Sequence, residues 1–313
     1  MGGVGPGRGV VAVVGATGTG KSDLAIEIAR AVGGEIVNTD SMQFYRGMDI
    51  GTAKLAPEER GGIPHHLLDV LEVTEEASVA AFQAEADAAV RQLLDRGKTP
   101  VLVGGSGLYV RAAVDELEFP PTDPQVRSRL EEEARRRGIG PLAERLAAVD
   151  PVSAGRLKDE RRIIRALEVH EITGRTFESF MPQRRYLRPT VQLGLAMDRA
   201  ELHARLELRI ERMMREGLVE EARRLCGHGL REARTASRAI GYRQALEVID
   251  GTMNEAEAAA STLTATRQFA RRQETWFRAD PRVIWLDATA PDLLEQALRA
   301  VADGLPHGDT LVP

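Results

Sequence analysis

Eight consecutive residues, Gly15-Ala16-Thr17-Gly18-Thr19-Gly20-Lys21-Ser22, fit the pattern G-x-x-x-x-G-K-[ST]. That spacing serves the gripping of a phosphate chain. Its glycines let backbone N–H groups turn inward around phosphate oxygens. The start of the following helix adds partial positive charge, and Lys21 adds a full one. The Ser22 hydroxyl is placed to ligate Mg²⁺. Asp40 is the second chemical candidate, reached from the apolar stretch Ile36-Val37-Asn38 through Thr39. In a parallel sheet it falls at the carboxyl ends of the strands, where ligands bind. There it can hold a metal, take a proton from a nucleophile, or cap the turn at Ser41. ATPases and GTPases usually carry a metal-holding aspartate on a second buried strand. Here Val101-Leu102-Val103 runs into Gly104-Gly105-Ser106 with no carboxylate. Ser106 is placed to hydrogen-bond reacting groups or to cap a helix, and the two roles can coexist.

The elements that must hold these residues are legible in outline. Val10 to Val14 is a β-branched run ending at Gly15, a predicted buried strand. Helical periodicity from Ser22 to Val32 stops at Gly33-Gly34. Glu35–Asn38 and Pro100–Val103 read as further strands, separated by a helix that Ser78 caps and Gly97 ends. Strands alternating with helices imply an α/β fold, a P-loop-type parallel sheet covered on both faces. The pattern breaks near Phe119-Pro120-Pro121. Asp123-Pro124 then opens a charged helix to Arg137. No strand returns until Thr190 to Met197. Residues 117–189 are therefore expected to form an all-helical insertion within a core of 1–116 and 190–313. Long helices around 200–217 and 254–278 and a late strand at Val283–Leu286 complete the core.

Composition excludes several classes. Hydrophobic residues make up 43% and charged residues 28% of 313, which rules out a disordered or fibrous chain. No run approaches the ~20 apolar residues of a membrane span. The glycine-rich start has no signal-peptide core, so the cytoplasm is the expected compartment. One cysteine, Cys226, excludes an intramolecular disulfide and a cysteine-built zinc site. The formal net charge is −5, yet it is unevenly spread. Residues 1–120 carry 10 basic and 17 acidic side chains, whereas residues 121–190 carry 15 and 11. Local sign matters because phosphate attraction acts over about a Debye length, ~8 Å. Only four of the 42 basic residues are lysines. Arginine suits bidentate phosphate contact, although a GC-rich genome gives the same bias. Other features have plain structural readings. His65 and His66, if extended, point to opposite faces and do not share an ion. Met213-Met214 reads as helix packing, and Cys226 as a small packed side chain.

Six segments, in order, resemble the tRNA dimethylallyltransferase family. They are residues 40–54 (Asp40-Ser41-Met42-Gln43 onward), 65–70, 103–109, 162–169, 239–244 and 271–278, and together with their spacing they span the chain to about 290. The resemblance implies transfer of a dimethylallyl group from dimethylallyl diphosphate to N6 of adenosine 37, beside the tRNA anticodon. It implies that the P-loop holds the diphosphate with Mg²⁺, that Lys21 stabilises the departing charge, that Asp40 takes the N6 proton, and that Arg209 reaches the diphosphate. Without the family, Arg209 reads as a solvated helix charge. Ser41, Met42 and Gln43 are expected near the base, since Gln43 has the donor and acceptor that read an adenine edge. Ser106, Arg127, Asp159, Arg161, Arg162 and the run Ala239-Ile240-Gly241-Tyr242-Arg243-Gln244 are expected against the anticodon arm. Arg271, Arg272 and Arg278, with Trp276 and Phe277 between, combine charge with stacking surface. Family members with a C-terminal zinc finger need more cysteines, so the likeness is to the bacterial form, expected as a monomer. Ala16 stands where the family commonly has proline, and Lys158 and Glu160 where it has asparagine and proline. The alternative from spacing alone is a small-molecule kinase, which uses the same cradle and a lid-like insertion.

Overall fold

The computed structural model describes residues 9–180 and 183–305, so most of the glycine-rich start lies outside the described residues. The chain forms two compact units, residues 1–114 with 186–313, and residues 115–185. The junctions differ slightly from 116/117 and 189/190 because the returning segment is already tied to the first unit. Leu187 N donates to Val114 O and Val10 N to Pro189 O, both at 2.9 Å.

In the first unit, β1 (Val10–Gly15), α1 (Lys21–Val32), β2 (Glu35–Asn38), β3 (His65–His66), α2 (Val79–Asp95), β4 (Pro100–Gly104) and α3 (Gly107–Val114) come first. The sheet order is β3-β2-β4-β1-β5-β6, where β5 is Thr190–Ala196 and β6 is Val283–Asp287; every pairing is parallel. Such strands are buried on both faces, which is why β1 reads as continuous valine and alanine, with no alternation. Ser78 caps α2 by accepting from Ala81 N, as its sequence position predicts.

The second unit holds α4 (Pro124–Arg137), α5 (Gly140–Val149), α6 (Pro151–Arg156) and α7 (Glu160–Thr173). Asp123 caps α4, accepting from Gln125 N and Val126 N, and Asp159 caps α7, accepting from Arg162 N. Leu130, Leu142, Leu146, Ile163, Ile164 and Leu167 fill its interior. Glu168 is fully buried there and accepts from Arg127, Arg165 and the Asp123 N–H. Burial pushes its carboxyl up, but those hydrogen bonds outweigh it and hold the group below the usual glutamate range.

After β5, the first unit continues through α8 (Arg199–Arg215), α9 (Leu218–Cys226), α10 (Tyr242–Ile249) and α11 (Glu255–Arg278), then β6 and α12 (Leu293–Gly304). Helices α1 and α12 pack together on the sheet, and α2, α3 and α11 form another set against it. A second apolar cluster joins the 45–73 segment to α8, α9 and α10, with Tyr45, Met48, Met213, Leu218 and Tyr242 at its centre. Met213 is thus a packing residue. No helix among the described residues is long and apolar enough to cross a membrane.

Candidate active site

Residues 15–22 join β1 to α1. Gly15 has φ +137°, and a Cβ there would press on the Leu195 carbonyl of β5; Gly18 and Gly20 have φ near +85°. Only glycine enters such conformations freely. No side chain caps α1, and its first helical bond runs from Leu24 N to Gly20 O. The amides of Lys21, Ser22 and Asp23 therefore lie ahead of the helical ladder, the arrangement that attracts an anion. Lys21 Nζ donates to Ala16 O at 2.6 Å. Burial, helped by the nearby Arg209 charge and opposed by Asp40, lowers the Lys21 ammonium to about 8.

Asp40 follows β2, which is separated from β1 by β4. Asn38 grips its backbone from both sides, accepting from Asp40 N at 2.9 Å and donating to Asp40 O at 3.1 Å. The Asn38 amide also donates to Leu67 O. Gly104 lets this turn approach β4, since a Cβ there would collide with Thr39 and crowd Asp40 N. Asp40 caps the 3₁₀ turn Ser41–Phe44 by accepting from Met42 N. Phe44 stacks on Phe82 at 5.2 Å and leans on Tyr109 at 5.5 Å, which anchors the turn to α2 and α3. Burial raises the Asp40 carboxyl above the usual aspartate range, against the pull of the Met42 N–H, Lys21 and Arg209. The carboxylate that caps this turn also lines the cavities beside the phosphate loop.

Two adjoining cavities meet at this point. One, of about 370 Å³, is polar and is lined by Gly18, Gly20, Lys21, Ser22, Asn38, Asp40 and Gln43 together with Arg205, Arg209 and Arg212 of α8. The other, of about 380 Å³, has Met42, Ile210, Met213, Ala239, Ile240 and Phe269 among its walls, with Ser41, Ser106 and Arg272. Thr17, Asp40, Thr52 and Arg209 line both. Arg209 is partly buried and donates to Thr52 O at 3.4 Å, so it is an inward-facing site residue and not the solvated charge its helix position alone would give. Ser106 immediately precedes α3, its carbonyl accepting from Val110 N at 3.0 Å, and it also lines the less polar cavity.

Other sequence candidates fall elsewhere. Tyr242 and Gln244 are buried, so their side chains are corrected from RNA contacts to internal supports. The Tyr242 hydroxyl donates to Glu221 at 2.6 Å, and Glu221 also accepts from Ile50 N and Gly51 N, which fixes the loop that carries Thr52. Gln244 accepts from Gly241 N and donates to Ser261. Arg243 is exposed, and Ala239 and Ile240 line the cavity. Gln43 donates to Thr52 O. Phe277 is also buried, leaving Trp276 as the exposed ring between Arg271, Arg272 and Arg278. In the second unit Arg127 is spent on Glu168, and Arg162 pairs with Asp159 at 3.3 Å. Arg161 is exposed and has no ion-pair partner among the described residues. The histidines differ in partner: His65 Nδ1 meets Ile63 O, and His66 Nε2 meets Glu35.

Sequence reasoning passed over Asn38, Thr52, Arg205, Arg212 and Gln273 as site residues. Arg205, Arg209 and Arg212 recur at helical spacing, so one arginine face of α8 was there to be found.

A P-loop at the head of a parallel sheet, facing a partly buried carboxylate from a different strand, defines an α/β phosphate-handling protein. The sequence profile of the IPP transferase family matches residues 43–280. A tRNA dimethylallyltransferase of Pseudarthrobacter chlorophenolicus is 62% identical over 92% of this chain and 96% of its own. The tRNA isopentenylpyrophosphate transferase of Bacillus halodurans superposes with a TM-score of 0.70 at 36% identity, covering 95% of each chain. A eukaryotic dimethylallyltransferase acting on tRNA gives 0.83 at 26% identity, covering 97% of this chain and 82% of its own. The chain belongs to the IPP transferase family.

Proposed function

We infer that this protein transfers the dimethylallyl group of dimethylallyl diphosphate to N6 of adenosine 37 in the tRNA anticodon arm, releasing diphosphate. The observation that carries this reading is the meeting of the two cavities at Thr17, Asp40, Thr52 and Arg209. The polar cavity suits the diphosphate. As the allylic C–O bond breaks, negative charge gathers on the leaving group, where the loop amides, Lys21 and Arg209 stabilise it. The less polar cavity suits the prenyl chain and an adenine turned out of its loop, an extrusion costing a few kcal/mol or less. As the C–N bond forms, N6 gives its proton to Asp40, whose raised carboxyl makes it a stronger base than an exposed aspartate.

Mg²⁺ fits this donor set. Mg²⁺ keeps waters and substrate phosphates in its shell and needs few protein donors, and the Ser22 hydroxyl lies in the same cavity as the loop amides. Ser22 would hold the ion, which when bound offsets diphosphate charge. Ser41, Met42, Arg161, Arg243, Arg271, Arg272 and Trp276 are the residues we assign to RNA contact, with the enzyme acting as a cytoplasmic monomer and the 115–185 unit serving the anticodon arm.

The test is incubation with bulk tRNA and dimethylallyl diphosphate, followed by nucleoside mass spectrometry. A prenylated adenosine is the expected product. ATP consumption without it would sink this reading in favour of a small-molecule kinase.

A further inference from the structure

The phosphate loop does not turn all its amides toward its ligand. Thr17 N donates at 2.9 Å to Oε1 of Gln273, which comes from α11, 256 residues away in sequence. The Nε2 of the same amide donates at 3.0 Å to Gly105 O, in the turn that leads from β4 to Ser106. Gln273 is 5% exposed. A buried amide is costly unless its polar atoms are paired, and here each end takes a different loop of the site. The surrounding residues are shaped to it. A Cβ on Gly105 would collide with Gln273 Nε2, and a Cβ on Gly107 would collide with the Trp276 ring, one turn further along α11. Ser106 therefore sits between two glycines, each backed by a side chain of the same helix.

We propose that Gln273 is a positioning residue that sets the separation between the phosphate loop and the Ser106 turn. The proposal rests on the functional reading above for its consequence in catalysis, but not for its geometry. Gln273 borders the polar cavity, but its amide oxygen is taken by Thr17 and its amide nitrogen by Gly105, so it acts through those two loops. A displacement of about 1 Å between reacting groups costs up to ~10² in rate. Leucine or methionine would fill the same volume without fixing either loop.

Gln273→Met keeps the bulk and removes both hydrogen bonds. Gly105→Ala leaves Gln273 in place and pushes its amide away from the other side. We expect both variants to lose about 10- to 100-fold in kcat at saturating tRNA, with tRNA affinity within about twofold. Three readouts separate this from general destabilisation. Turnover is measured well below each variant's melting temperature. Affinity for inorganic diphosphate with Mg²⁺ is measured by calorimetry and should fall several-fold. Amide exchange at Thr17 should quicken in Gln273→Met. Wild-type diphosphate affinity and unchanged Thr17 exchange in Gln273→Met would overturn the proposal, as would a turnover defect that vanishes on cooling. Neither binding nor exchange depends on prenyl transfer. A wild-type protein that binds diphosphate yet makes no prenylated nucleoside thus overturns the functional reading alone, while these two measurements still decide the role of Gln273.

Discussion

The phosphate site and the 115–185 unit handle charge in opposite ways. In the helical unit, residues 115–185, 14 basic side chains meet 14 acidic ones, and many of them pair within the unit. Arg127 and Arg165 share Glu168, Arg145 pairs with Glu133 and Glu171, Arg156 with Glu178, and Arg175 with Glu118. In the site, Lys21, Arg209 and Asp40 stand close enough to perturb one another, and burial, helped by Arg209 and opposed by Asp40, lowers Lys21. The other unit has the acidic total, since the whole chain is −5 and 115–185 is balanced, yet it gathers Lys21, Arg205, Arg209 and Arg212 around one cavity. A residue count gives the sign of a region, whereas partners decide which charges remain to meet a ligand.

Four experiments bear on that contrast. The largest effect is expected at Asp40, where alanine should cost ~10²–10⁴ in single-turnover rate while tRNA affinity stays within a few-fold. An almost normal rate would remove the base assignment. Next comes the pH dependence of kcat/KM for the diphosphate donor. It should rise with ionisation of Asp40, above the ordinary aspartate range, and fall on the alkaline side near pH 8 as Lys21 loses its proton. Lys21→Arg should abolish the alkaline limb through pH 10; its persistence would assign that limb elsewhere.

In the helical unit the predicted effect is on stability. Glu168→Gln leaves Arg127 and Arg165 without their carboxylate, at about 2–3 kcal/mol once the partial exposure of both arginines is allowed for. Because the folded carboxyl sits below its ordinary range, this stabilisation is complete above that range and is lost progressively as the pH falls from there through the lower folded value. Hydrogen exchange should quicken across 115–185 and little in the sheet; uniform loosening would contradict the division into units. The smallest effect separates two neighbouring arginines. Arg161→Ala should weaken tRNA binding and flatten its salt dependence by about 0.7–0.9 in log–log slope, and Arg162→Ala should do less because Asp159 already holds it. Equal effects in a salt series would show that internal pairing does not matter there.

Local chemistry made much of the framework legible. β2 matches its predicted span, and Ser78 and Asp123 cap the helices their positions announce, because a cap is a contact between near neighbours. Residues from 218 to 249 were harder, where two short helices and a polar network around Glu221 depend on the loop at Ile50 and Gly51. The two-residue β3 has no periodicity to display and exists through its pairing with β2. Phe277 and Gln273 were readable in principle. The buried stripe of α11 runs Ala258, Thr262, Thr266, Ala270, Gln273, Phe277, which is helical spacing. Half of that stripe is polar, so hydropathy hides it, and the partner of Gln273 lies at the other end of the chain. Arg209 looked like a surface charge for the converse reason, since a helix face turned toward a cavity has the composition of one turned toward water.

The lowered ammonium of Lys21 has a further consequence for the protein between turnovers. In the unfolded chain that group titrates at its ordinary 10.5, in the fold at about 8. Below pH 8 the folded state therefore carries a charge that water would hold better, a handicap on the order of 3 kcal/mol. Stability should rise as the pH climbs from about 8 toward 10.5. A bound diphosphate gives the ammonium an anionic neighbour and removes the handicap at neutral pH. Thermal unfolding at neutral pH with and without inorganic diphosphate measures this, and the expected result is a higher melting temperature with the anion present.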